Sequence, residues 1–165
     1  MKGKIFNAQE VQSIIAGTKT MFREVIKKTQ IDPTSQLNRC GTELLLSECP
    51  YQVGQKIFCK EAWGRKATGS GIAYKADNPN QLIYQHLAVK WNLPQHMKQE
   101  HSRIILEIID IKVERLAEIS NADCRSEGED QWSFICNWNA THKKPEEKFE
   151  ANPFLWVVDF KITNN

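Results

Sequence analysis

Residues 102 to 116, SRIILEIIDIKVERL, constrain this chain more than any other stretch. The run is dense in Ile and Val, which suit a pleated, half-buried surface. From Glu107 onward apolar and polar residues alternate, the period of a strand with one face on a core. A strand this long offers an edge along which several shorter ones can pair, so the chain is committed to a sheet.

The partners of that strand are read from both sides of it. Residues 3 to 6 and 20 to 26 have strand character, as do QKIFCKEAW (55 to 63), the stretches near 72 to 75 and 82 to 85, and NPFLWVVDFKIT (152 to 163). GRKATGSG (64 to 71) reads as a turn. Between the first two strands, Asn7 with Glu10 three positions on forms a capping box, and Val11, Ile14 and Ile15 make one apolar stripe. Gly17 stands where a left-handed helix end is expected, so a helix of about ten residues follows from the spacing. Ser120 with Asp123 starts another helix, which Gly128 ends, and a further helix is expected over 130 to 140. Residues 28 to 54, broken by Pro33, Gly41, Pro50 and Gly54, read as a long loop, a kind more often functional than inert. The charged stretch 141 to 150, with Lys143 and Lys144, reads as a solvated face. Trp132, Trp138, Phe154 and Trp156 are assigned to the core.

The 165 residues suit one domain with a core large enough to fold alone, and no boundary interrupts them. Five to six strands with short flanking α-helices make an α+β chain, and a small closed or nearly closed β-barrel is the expected architecture. A net charge of +2 does not demand a polyanionic partner, though it leaves room for a local basic patch. No apolar run is long enough to span a bilayer, and MKGKIFNAQEVQ lacks the apolar core of a signal peptide, so no membrane and a cytoplasmic location are expected. The five cysteines, at 40, 49, 59, 124 and 136, are an odd number in such a chain and are expected to be free thiols. Their pairs are spaced too widely for a structural zinc site, so neither a metal nor a cofactor is expected.

Five segments, in their order, resemble a known family. They are the first helix with Gly17-Thr18-Lys19-Thr20 and Arg23 after it, then VGQKIFCKEAW, HMKQEHSRIILEI, VERLAEIS with NADCRSEG, and NPFLWVVDF. Together they resemble the ASCH domain, in the branch common in bacteriophages and prophages, and the resemblance covers nearly the whole chain. ASCH domains are related in fold to PUA domains, β-barrels with a cleft that meets RNA. The resemblance implies a PUA-like mixed β-barrel formed by residues 1–165, recognition of RNA or of a nucleotide or nucleoside, and in some branches hydrolysis.

One ASCH branch removes the acetyl group of N4-acetylcytidine with a Lys, a Thr three residues later and a distant Glu. Carried over by position, the Lys is Lys19, the Glu is Glu127, and the Thr position is Phe22. Phe has no oxygen to activate as a nucleophile. Thr20 is the nearest hydroxyl, but neighbours on a strand point to opposite faces, so it converges with Lys19 only if residue 19 still belongs to the helix cap. The catalytic candidates are therefore Lys19, Glu127 and Thr20.

The nucleic-acid-binding candidates are Lys19, Arg23, Lys60, Glu61, Trp63, His96 and Arg103. Lys19, Arg23 and Arg103 would supply positive potential, and Trp63 would stack on a base. By alternation Glu61 shares a face with Trp63 and Lys60 takes the other. Arg103 is suited to a fork on a phosphate or on Glu61, and His96 to a proton or a phosphate. The expected function is recognition of a base, modified or not, in a cationic cleft. The alternatives are an ASCH-type hydrolase, either amidohydrolase or ribonuclease, and an accessory protein that binds a host protein through the 28 to 54 loop.

Overall fold

The computed structural model describes residues 1–27, 38–77 and 88–163, with Val89 described only in its backbone. These residues form an α+β protein with eight strands in two sheets and four α-helices. The strands are β1 (Lys2–Ile5), β2 (Met21–Val25), β3 (Lys56–Lys60), β4 (Trp63–Lys66), β5 (Ile72–Tyr74), β6 (Ala88–Asn92), β7 (Ile105–Arg115) and β8 (Phe154–Thr163). The helices are α1 (Ala8–Ile15), α2 (Arg39–Ser47), α3 (Asn121–Ser126) and α4 (Gln131–Thr141). The larger sheet has the order β1-β3-β7-β8-β2 and the smaller one β5-β4-β6. Among the described residues no pairing joins β1 to β2, so the expected barrel closure is not seen. Alternating runs disclose strands, but not whether the end strands meet.

The chain gathers into two compact units. The first comprises residues 1–17, 56–107 and 162 onward; the second comprises 18–55 and 108–161. Each draws on segments from across the sequence, so no linker marks a boundary.

In the first unit β1 runs parallel to β3, and β3 runs antiparallel to the start of β7. The Asn7–Glu10 capping box forms as the spacing requires, at 2.9 and 2.8 Å. Gly17 has φ +74°, the left-handed conformation that glycine adopts without a Cβ penalty. Val11 and Ile14 are fully buried, whereas Ile15 of the expected stripe is about half exposed. The strand expected over 55–63 stops at Lys60 and a new one begins at Trp63, which pairs with both β5 and β6. Gly64 permits that crossing, since a Cβ there would strike the Lys90 carbonyl oxygen. The strand expected near 82–85 lies outside the described residues, and β6 was not anticipated.

The second unit pairs β2 antiparallel with β8, Phe22 opposite Val158. Its core gathers Val25, Leu116, Ile119, Cys124, Phe134, Trp138 and Leu155. Helix α3 carries the expected Ser120–Asp123 capping box, and Asp130 caps α4. Two buried indoles find acceptors: Trp138 donates to the Glu147 carbonyl and Trp156 to the Leu45 carbonyl, each at 2.8 Å. The expected 28–54 loop needs correcting. Residues 28–37 lie outside the described residues, but 39–47 form α2, capped by Asn38 and anchored by the fully buried Leu45. Trp132, assigned to the core, is 76% exposed. Phe134 and Trp138 stand four residues apart on one helix face, and two residues back from Phe134 falls on the other side. No helix among the described residues is long and apolar enough to cross a membrane.

Replacing Leu155 by Ala should lower unfolding stability by about 2–5 kcal/mol through the cavity it leaves. Trp132→Ala should stay within about 0.5 kcal/mol. Urea denaturation followed by circular dichroism compares the two. Equal effects would contradict the burial described here.

Candidate functional site

The residues singled out from the sequence fall into two sets, one in each unit. In the second unit the chain leaves α1 and straightens at once. Lys19 forms an isolated antiparallel bridge with Glu127, the Thr20 amide donates to the Ser126 carbonyl, and the Phe160 amide donates to the Thr20 carbonyl. Strand alternation has therefore begun by residue 19: Lys19 is buried and Thr20 exposed. The two do not converge, so Thr20 is not presented to the Lys19 ammonium.

Glu127 caps the C-terminal end of α3, where the helix dipole disfavours a carboxylate. Two cations offset that cost. Lys19 Nζ reaches Glu127 Oε2 at 2.5 Å and the Glu127 carbonyl at 3.1 Å. Arg23 Nη1 donates to Glu127 Oε1 at 2.9 Å. All three residues are less than a tenth exposed. Arg23 Nη2 has Glu114 at 3.6 Å and Asp123 at 3.8 Å, but no hydrogen-bond acceptor. Burial raises the Asp123 carboxyl, but hydrogen bonds from Ser120 and the charge of Arg23 outweigh it and hold the group below its ordinary range. The Lys19 ammonium and Glu127 carboxylate touch each other, so no base lies between them.

Phe22 stands on the other face of β2. Its ring meets Tyr51 edge-on at 5.3 Å and lies 6.0 Å from Phe160, and Phe22 is 3% exposed. It is a core residue, and the position carries no nucleophile.

The first unit holds the second set. Trp63 and Tyr74 are directly opposite on the antiparallel pair β4–β5, so their side chains share a face. A segment from 101 to 103 lies against that face. Its middle residue Ser102 is extended, and its hydroxyl donates to the Cys59 carbonyl at 2.7 Å. Extension sends residues 101 and 103 to the same side. The His101 ring accordingly stacks on Trp63 with centroids 4.2 Å apart, and the Arg103 guanidinium lies 4.1 Å from the centre of the Tyr74 ring. Tyr74 ties the layers together by donating its hydroxyl to the His101 carbonyl at 3.0 Å.

Arg103 is fixed on three sides. Nε and Nη2 donate to the two oxygens of Glu61 at 2.9 and 3.0 Å, and Nη1 meets Asp77 at 2.6 Å. Glu61 is only 2% exposed, and burial pushes its carboxyl above the ordinary range while Arg103 pulls it back. Burial also works against the Arg103 charge, but its bonds to Glu61 and Asp77 outweigh that and raise it. With both Glu61 oxygens accepting from a guanidinium that keeps its proton, the charged pair is the form that satisfies the geometry. Trp63 Nε1 and His101 Nδ1 are both buried without a hydrogen-bond partner. An unmade bond of this kind costs about 1–3 kcal/mol.

Lys60 and His96 stand outside this layer. Lys60 donates to the Gln95 carbonyl at 3.2 Å, and His96 is exposed on the short turn 94–96. His101, five residues on, is the imidazole that meets Trp63. Sequence reasoning missed His101, Tyr74 and Asp77. The available signal was the Gly-rich turn 67–71, which places Tyr74 across from Trp63 once β4 and β5 are read as a hairpin. Burial pushes the Cys59 thiol far above its usual range and so keeps it protonated. Among the described residues no three His, Cys, Asp or Glu side chains are grouped to hold a metal ion.

No family model and no curated protein matches this chain. Two solved chains do match. One is protein EF3133 from Enterococcus faecalis V583, described by the family model DUF984. It aligns with 99% of this chain and 81% of its own, with TM-score 0.50 and 11% sequence identity. The likeness is one of fold.

Glu127→Gln keeps the shape of the side chain and strands two buried cations. It should cost about 3–5 kcal/mol of stability, the usual penalty for breaking a buried pair from one side. Denaturant unfolding measures it, and a loss under about 1 kcal/mol would mean the three groups are not held together as described.

Proposed function

We propose that this chain recognises a base, in RNA or in a free nucleotide, on the aromatic face of its first unit. The observation that carries the reading is the layer of Trp63 and Tyr74 with a guanidinium fixed over one ring and unpartnered nitrogens beside the other. Indole faces stack on bases of any identity, and an anchored guanidinium beside them provides orientation. The domain is read as ASCH-type and PUA-like, of the phage and prophage branch, on the five sequence segments in their order. The fold likeness to EF3133 is compatible with that reading and adds no ligand to it.

The cationic cleft expected from the sequence is recast. Lys19 and Arg23 are paired with Glu127, and Arg103 with Glu61 and Asp77. These cations have little charge left for phosphates, so the base ring dominates recognition. Binding of a short single-stranded RNA should therefore depend only weakly on salt, with a log–log slope of about 0.7 or less, one phosphate's worth. Trp63→Ala should weaken binding of uridine monophosphate and of oligo-uridine by about 1–3 kcal/mol, roughly 5- to 150-fold. Isothermal titration calorimetry at several salt concentrations tests both. A steep slope with unchanged affinity in Trp63→Ala would sink the reading.

A second reading rests on the contact between Lys19 and Glu127, the two residues that the ASCH amidohydrolase pattern brings into one site. Its missing element is the hydroxyl at position 22, and Thr20 does not replace it. Incubation of the purified protein with N4-acetylcytidine, followed by chromatography, should yield no cytidine above the uncatalysed background. Turnover would restore the hydrolase.

A further inference from the structure

Within the aromatic layer, the two covering side chains are held very differently. Arg103 is fixed by Glu61 and Asp77 and lies on Tyr74. The backbone around it is fixed too, by the Ser102 hydroxyl on Cys59 and by the Tyr74 hydroxyl on the His101 carbonyl. The His101 ring has no comparable anchor. Its Nδ1 is unpartnered, its Nε2 is 3.7 Å from the exposed Glu100 carboxylate, and its side chain is 27% exposed. What holds the ring is the stack itself, at 4.2 Å and 28° from the Trp63 plane. A flat heterocycle on an indole adopts the same arrangement.

We propose that His101 keeps the place of the ligand ring on Trp63, and that binding exchanges the imidazole for a planar heterocycle. This rests on the reading of the aromatic face as a base site. Rotation about the His101 side-chain bonds is enough, and the backbone stays where Ser102 and Tyr74 hold it. The exchange takes place on the indole face, and Trp63 Nε1–H, which lies in the ring plane, takes no part in it. Arg103 stays on Tyr74 and marks the border of the vacated place. His101 thereby sets the threshold for binding, since a ligand must stack better than the imidazole to displace it.

The test uses the whole protein, with uridine monophosphate and adenosine monophosphate as probes and calorimetry as the readout. His101→Ala removes the competing ring and should raise affinity for both probes about two- to tenfold, the range an aromatic pair is worth. His101→Phe keeps a competing ring and should give no such gain. Trp63→Ala should lose binding in either background. Weaker or unchanged binding in His101→Ala, with Trp63→Ala still impaired, would overturn the exchange and leave the base site standing. No binding by the wild type or by His101→Ala would overturn both. A fold check comes from indole N–H exchange: His101→Ala should speed exchange of the Trp63 proton alone, and no change there would also count against the imidazole as its cover.

Discussion

A cation taken out of water needs a carboxylate beside it, and in each unit of this chain that requirement fixes the local architecture. In the second unit Glu127 takes both Lys19 and Arg23, and this holds the end of α3 against the strand that follows α1. In the first unit the Glu61 fork holds Arg103, and through it the segment that covers Trp63 and Tyr74. Buried pairs of this kind add little net stability compared with apolar side chains of the same size. What they provide is position, since neither partner has another low-energy arrangement once buried.

The same pairing redirects the functional reading. Lys19, Arg23 and Arg103, chosen for their positive charge, turn out to be paired with carboxylates, and in the first unit the buried side-chain atoms without a hydrogen-bond partner, among the described residues, are the ring nitrogens of Trp63 and His101. A surface with its charges satisfied and its rings flat is suited to the one part of a nucleotide that is uncharged and flat. Phe22 fits that shift. Phe22 contributes a ring to the packing around Tyr51 and Phe160 in place of a hydroxyl.

What was legible in the sequence was local or periodic. The capping boxes at Asn7 and Ser120 and the turn at Gly17 depend on residues within four positions of one another, and all three stand as read. The long strand was legible from its alternation. The contact between Lys19 and Glu127 joins positions 108 apart and was reached only through resemblance to a family. Helix α2 was hidden by Gly41 and by the prolines on either side, because its stability comes from burying Leu45 rather than from propensity. His101 was not legible at all. Nothing near it in sequence signals that an extended Ser102 will turn residues 101 and 103 onto two rings contributed by a separate hairpin.

We propose that a base finds its place on the rings of the first unit and not at the ion pairs of the second. Two-dimensional NMR of labelled protein titrated with uridine tests this most directly, with the Trp63 indole N–H signal assigned through Trp63→Phe. That signal should move, as the ring current of the base replaces that of the imidazole, and backbone shifts should concentrate at residues 61–74 and 101–103. Shifts confined to residues 19–23 and 123–127, with the Trp63 signal unmoved, would contradict it.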